Sequence, residues 1–285
     1  MRALTALLLA SAALLGALFA APPPAAAGPQ RVVSLNACTD QLLMLLVAPR
    51  RIAALSHLSV DPEVSAMAAA ARAYPRTHGQ LEAVLELRPD LVLAGSYSTR
   101  STVFGLKRLG IPVLEMTAAG DFDGIRANLR RLGAALEVQA RAEELIAAFD
   151  ARLADLKPAA GAAPPPLAAI YAANGWSAGP GHLRHAVLEA AGLRNLASTA
   201  KVDKRSQLPL EVLVAAQPDL VITPASPPQA PALAEALLAH PAFRSLEARA
   251  RFVGMPNALW SCGTPLIAQA VARLAAATAG GGGRP

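Results

Sequence analysis

The apolar positions between Asp121 and Leu156 organise the chain. Phe122, Ile125, Leu129, Leu132 and Leu136 recur at helical spacing. The phase then slips at Glu137, and a second run follows on Val138, Ala142, Leu145, Phe149, Leu153 and Leu156. Arg141, Glu143, Glu144, Asp150, Arg152 and Asp155 fill the polar positions of that run. The pattern predicts two consecutive helices. Nothing breaks the second before Lys157-Pro158, so it is about 28 Å long and can cross from one domain to another. A segment rich in Ala, Gly and Pro follows, up to Pro166, and cannot continue the helix.

On either side of this rod one pattern occurs twice. Leu81-Glu82-Ala83-Val84-Leu85-Glu86-Leu87-Arg88-Pro89-Asp90-Leu91-Val92-Leu93 aligns without a gap on Leu210-Glu211-Val212-Leu213-Val214-Ala215-Ala216-Gln217-Pro218-Asp219-Leu220-Val221-Ile222. Each copy reads as a short amphipathic helix, stopped by proline, feeding a buried strand. Two copies argue for two similar lobes.

The rest of the chain alternates strand and helix. Strands are expected at 31–35, 51–55, 90–94, 111–114, 167–171, 219–222 and 251–255. Helices are expected at 41–47, 62–71, 101–109, 182–191, 232–239 and 266–277, the second of these opened by Asp61-Pro62-Glu63. This alternation predicts an α/β fold of two similar lobes, each a parallel sheet flanked by helices, joined by one long inter-lobe helix. The expected boundaries are a leader at 1–27, an N-terminal lobe at 29–136, the inter-lobe helix at 138–157, a C-terminal lobe at 164–279 and a disordered tail at 280–285.

Composition adds the compartment. Arg2, the apolar stretch Ala3–Ala20, Pro22-Pro23-Pro24 and Ala25-Ala26-Ala27 make a signal peptide, with cleavage expected after Ala27. No cysteine lies near that point, and no later run is a transmembrane candidate, so a soluble secreted protein is expected. Apolar residues make up 54% of the chain but aromatics only 4%, so the cores must be built from Ala, Leu and Val. The 26 Lys and Arg against 20 Asp and Glu are scattered, which reads as a basic surface and not as a nucleic-acid site.

Ligands of open α/β sheets bind beyond the carboxyl ends of the strands. The loops there carry Asn36, Cys38 and Thr39; Tyr97 and Arg100; Asn174 and Trp176; and Trp260. In a chain so poor in aromatics, Trp176, Trp260 and Tyr97 in such loops point to a flat or bulky ligand gripped between the lobes. His78 falls in a loop bordering the same cleft. No nucleophile elbow and no phosphate loop is present, so no catalytic residues are assigned and no enzyme is expected. His182 and His185 have a spacing that permits a metal, but no carboxylate or cysteine accompanies them, so no metal site and no resident cofactor are assigned.

With Arg31-Val32-Val33-Ser34-Leu35, Gly79 through Pro89-Asp90-Leu91-Val92, and Leu109-Gly110-Ile111-Pro112-Val113, together with the paired lobes and the rod, the sequence resembles the class III periplasmic substrate-binding proteins of ABC importers. These are the Fe/cobalamin-type binding domains, and the resemblance spans Arg31 to Ala277. It implies a monomeric periplasmic receptor that delivers a bulky metal chelate to an inner-membrane permease and ATPase. It also implies one docking glutamate per lobe, which by position are Glu82 and Glu211. The tryptophans and Tyr97, without an arginine cluster, favour cobalamin or another corrinoid. The alternatives are a ferric siderophore, which would want clustered arginines, and haem, for which Tyr97 or His78 would serve as axial ligand. A zinc receptor or secreted metalloenzyme would rest on the histidines alone.

Cys38 and Cys262, the only cysteines, fall in loops of different lobes. In an oxidising compartment they invite a bridge from lobe to lobe, provided their Cα atoms approach within about 7 Å. Two buried thiols, or a thiolate touching the ligand's metal, are the other outcomes.

Overall fold

The computed structural model describes residues 28–96, 98, 100–158, 164–200, 207–226 and 233–279. The leader, Tyr97 and the C-terminal tail therefore lie outside the described residues.

The N-terminal lobe is built from β1 (Val32–Ser34), α1 (Ala37–Leu46), β2 (Ile52–Ser56), β3 (Arg76–Thr77), α2 (Leu81–Glu86), β4 (Leu91–Gly95), α3 (Arg100–Arg108) and β5 (Val113–Met116). Helices α4 (Phe122–Ala135) and α5 (Gln139–Leu156) follow. The C-terminal lobe then runs β6 (Leu167–Ile170), α6 (Leu183–Ala190), β7 (Arg194–Asn195), α7 (Leu210–Ala216), β8 (Leu220–Pro224), β9 (Arg251–Met255) and α8 (Ala268–Ala279), with several one-turn helices between. The first sheet has the order β3-β2-β1-β4-β5 and the second β7-β6-β8-β9, and every pairing is parallel. Apolar strands such as Val32-Val33 and Leu91-Val92-Leu93 are buried because helices cover both faces of such sheets.

The sequence repeat is a repeat of structure. Arg88 and Gln217, at equivalent positions after α2 and α7, both take left-handed backbone conformations, with φ of 46° and 44°. The proline that follows each disfavours a further helical turn. Asp90 then accepts hydrogen bonds from the backbone of Gln30 and Arg31 where β1 begins, and Asp219 accepts one from Leu167 where β6 begins. Each Pro-Asp pair thus ends a helix and pins the central strand of its sheet.

The phase slip at Glu137 is a tight reversal, with Glu137 at φ 54°. Helices α4 and α5 therefore form an antiparallel hairpin. Arg126 pairs with Asp150 at 2.7 Å and Arg130 with Glu143 at 2.7 Å, while Phe122 meets Phe149 edge-on at 5.5 Å. Gly133 permits the crossing, since a Cβ there would sit 2.6 Å from Cβ of Ala142. Helix α5, 18 residues or about 27 Å, also packs against α8. Ile125, Leu129, Ile146, Ile267, Val271 and Leu274 consequently share one apolar cluster that runs through both lobes.

Several expected boundaries shift, each for a local reason. The helix expected at 62–71 shrinks to Ala68–Ala71. Asp61 accepts from the Glu63 N–H and Ser65 from the Met67 N–H, so side-chain turns outcompete the helix there. The strand expected at 111–114 becomes Val113–Met116, beyond Pro112, which has no N–H to give. The final helix begins at Ala268 after a single 3₁₀ turn, Pro265–Ile267. The two-residue strands β3 and β7 are too short to leave a periodic signal.

Candidate functional site

In each sheet the chain winds outward on one side of its first strand and then crosses to the other. The switch points lie between β1 and β4 and between β6 and β8. A crevice opens beyond the carboxyl ends of strands at such points. Here the two crevices face each other and merge into one cavity of about 520 Å³, within the range of small-molecule sites.

The N-terminal lobe contributes Asn36, Cys38 and Thr39 from the start of α1, Gly95 at the end of β4 with Ser96 beyond it, and Thr117 after β5. Asn36 caps α1 by accepting from the Cys38 N–H at 2.9 Å. Thr39 shares a hydrogen bond with Ser34 at 2.8 Å and donates to the Asn36 carbonyl. Beneath this wall Asp40 is fully buried. It accepts from the hydroxyl and the N–H of Ser56, at 2.5 and 3.1 Å. Burial nevertheless pushes its carboxyl up to about 7, against the lowering effect of those hydrogen bonds.

The C-terminal lobe contributes Trp176, Gly181, His182, Arg184, Trp260, Ser261 and Gly263. The chain enters this wall through Asn174, whose left-handed backbone at φ 55° turns the segment so that Trp176 faces inward. His182 caps α6, its Nδ1 accepting from the Arg184 N–H at 3.1 Å, and its ring meets Trp176 edge-on. The guanidinium of Arg184 lies over both indole rings, 4.8 Å from the centre of Trp176 and 4.5 Å from that of Trp260. Its Nη2 donates to Asn257 Oδ1 at 2.8 Å, while Nε is buried without a partner. Burial lowers its pKa to about 10, so it stays cationic at neutral pH.

The lobes meet around the cavity. Cys38, in the cavity wall, forms a disulfide with Cys262 of the other lobe. Asn257 donates to the Glu63 carbonyl at 3.2 Å and Ser226 to the Glu63 carboxylate at 3.1 Å. Gly263 abuts Ala119, and a Cβ at 263 would fall 2.8 Å from the Ala119 methyl.

The residues expected to bind ligand are thus distributed unevenly. Asn36, Cys38, Thr39, Trp176 and Trp260 line the cavity. Arg100 lines a neighbouring pocket of about 420 Å³ that shares Gly95, Ser96, Met116 and Thr117 with it. His78 lies outside the lining, exposed, stacked on His57 with ring centres 4.5 Å apart. Asn174 is also exposed and outside it; its contribution is backbone geometry. Both tryptophans belong to the C-terminal lobe, and Tyr97, their expected counterpart opposite, is not among the described residues. Glu82 and Glu211 occupy matching first-turn positions of α2 and α7, both exposed. His182 and His185 do not converge: His185 turns to Asn195, Ser198 and Glu189. Among the described residues no group of three or more His, Cys, Asp or Glu is placed to hold a metal.

Arg184 was not among the expected site residues. Its signal in the sequence is faint: a single arginine opening the helix after the glycine-rich loop 175–181, between two histidines that draw more notice.

Comparison with known proteins agrees with this architecture. Residues 32–251 match the family model described as periplasmic binding protein. A cobalamin-binding protein of Halobacterium salinarum is 30% identical over 219 residues, which cover 74% of this chain and 58% of that protein. The chain thus spans little more than half the length of that relative. A periplasmic haem-binding protein from Pseudomonas aeruginosa is similar in structure, with a TM-score of 0.69 and 26% identity over 87% of this chain and 92% of that one. The periplasmic vitamin B12 binding protein of Vibrio cholerae shares the fold at a TM-score of 0.60 and 17% identity, covering 87% and 96% of the two chains. No helix among the described residues is long and apolar enough to cross a membrane. With 32–251 matched and the paired parallel sheets in place, the chain belongs to the periplasmic binding protein family, whose members bind substrates and are not enzymes.

Proposed function

We propose that this protein is the periplasmic receptor of an ABC importer and that its cleft captures a bulky metal chelate, with cobalamin or another corrinoid as the first choice. The observation that carries the reading is the cavity itself. It lies between the lobes, at the switch points of both sheets, and both tryptophans of the chain stand in its wall. The identity to a cobalamin-binding protein supports the corrinoid. The chelate is cargo, held by the cleft and released, and the protein acts on it by binding alone.

The closure expected of such a receptor is small. The lobes share an apolar cluster, a helical hairpin and a disulfide, so they cannot swing as on a two-strand hinge. Glu82 and Glu211 are proposed to dock on basic residues of the permease, one per lobe. The leader at 1–27 is proposed to direct the chain to the periplasm, where it would work as a monomer.

Haem is the second reading, favoured by the similarity to the Pseudomonas haem binder; a ferric siderophore stands behind it. Equilibrium dialysis of the purified protein against cyanocobalamin, haemin and a ferric hydroxamate decides among them. Tightest retention of cyanocobalamin is expected, and preferential retention of either other chelate replaces the corrinoid reading.

A further inference from the structure

Arg184 is a cation in a place that is expensive for one. An arginine offers five N–H donors. Here Nη2 alone is engaged, with Asn257 at 2.8 Å and, at a long 3.5 Å, with Ser261. Nε is buried without a partner, and Arg184 joins none of the ion pairs among the described residues. The faces of Trp176 and Trp260 attract the guanidinium, but a ring face cannot accept the in-plane hydrogen bonds that its edge offers. A half-buried charge with no ion-pair partner among the described residues is unfavourable, and this one lines the cavity. The two rings also hold the guanidinium in place before anything arrives.

We propose that Arg184 is the anion-recognition residue of the cleft: the cargo carries a carboxylate or phosphate group that seats on the Nη1 end of the Arg184 guanidinium, beside Trp176 and Trp260. The proposal rests on the reading of the cleft as a chelate site and narrows it to anionic cargo. A chelate without such a group leaves the Nη1 donors unsatisfied after water has been expelled, which selects against it. A lysine substitutes poorly, because it keeps the charge but has neither the planar fork nor the stacking.

The test has two arms, both read by fluorescence of the two tryptophans. In the first, inorganic phosphate and glutarate are titrated into the full-length mature protein. A saturable response in the millimolar range is expected. Arg184→Gln abolishes it and Arg184→Lys weakens it roughly ten-fold, with thermal melts confirming that both variants fold. No saturable response in the unmodified protein, or an equal response in Arg184→Gln, overturns the proposal. In the second arm, cyanocobalamin is compared with dicyanocobinamide, which lacks the phosphodiester, and haemin with its dimethyl ester, which lacks free carboxylates. In one pair the anionic member is expected to bind about ten-fold more tightly or better, and Arg184→Gln brings the two within about two-fold. The pair that responds identifies the source of the anion. A preference that survives Arg184→Gln, or no preference in either pair when at least one binds, overturns the proposal. If all four chelates fail while the simple anions still bind through Arg184, the chelate reading falls and the anion site stands.

Discussion

Cys38 and Cys262 are 224 residues apart in sequence and 5.0 Å apart at their Cα atoms, joined by a disulfide that runs from the first turn of α1 to the loop after β9. Trp260 stands two residues before the second cysteine, so the bridge holds one wall of the cleft against the other lobe. A cross-link closing so long a loop removes much of the freedom of the unfolded chain. Replacing both cysteines by serine is expected to destabilise the protein by about 2–5 kcal/mol, a fall in Tm of roughly 5–15 °C. The variant should still fold, because α4, α5 and α8 keep the lobes in one apolar cluster. Thermal melts with and without reductant check this, and superimposable melts would contradict it. Alkylation of the unreduced protein should label neither cysteine.

Asp40 is expected to make stability pH-dependent in a direction unusual for a carboxylate. Its pKa rises from 3.8 to about 7 on folding, with burial as the main cause. Between those values the folded protein holds a proton that the unfolded chain has lost. Stability attributable to Asp40 is therefore complete below about pH 4, falls as pH rises toward 7 and is flat above. The full effect is on the order of 4 kcal/mol, as an upper limit. Asp40→Asn keeps the shape and should flatten this dependence while stabilising the protein at pH 8. A variant whose stability still declines from pH 4 to 7 as in the unmodified protein would refute the role given to Asp40.

Glu82 and Glu211 head equivalent helices and are exposed, as charges meant for a basic partner should be. Surface charges of this kind set assembly more than they set affinity for a ligand buried elsewhere. Glu82→Ala combined with Glu211→Ala should leave chelate affinity within about two-fold and sharply reduce uptake in a reconstituted importer, with the deficit shrinking at higher salt as docking of the unmodified protein is screened. Loss of chelate affinity in the double variant would argue against docking.

How much of this was legible beforehand depended on how far each feature reaches along the chain. The repeat around Pro89-Asp90 and Pro218-Asp219 announced both lobes, because helix, stop and strand each leave a local pattern. The reversal at Glu137 showed as a phase slip. Proximity of Cys38 and Cys262 followed from both lying in strand-end loops of opposite lobes. Two-residue strands such as Arg76–Thr77 exist only through their neighbours and left no trace. The turn at Asp61 misled because Asp-Pro-Glu opens helices and side-chain turns equally well. Arg184 was invisible for another reason. Its significance is that it joins no ion pair among the described residues and that a second ring, Trp260, reaches it from a distant loop, and neither is written near position 184.

The most direct test of the account is a titration of the mature protein with cyanocobalamin at micromolar concentration, followed by intrinsic tryptophan fluorescence. Trp176 and Trp260 are the chain's two tryptophans and both line the cleft. A chelate seated there must change their emission, with a saturation curve that matches equilibrium dialysis. Binding seen in dialysis with unchanged fluorescence would put the cargo outside the cleft. No binding and no fluorescence change at those concentrations would contradict the corrinoid reading itself.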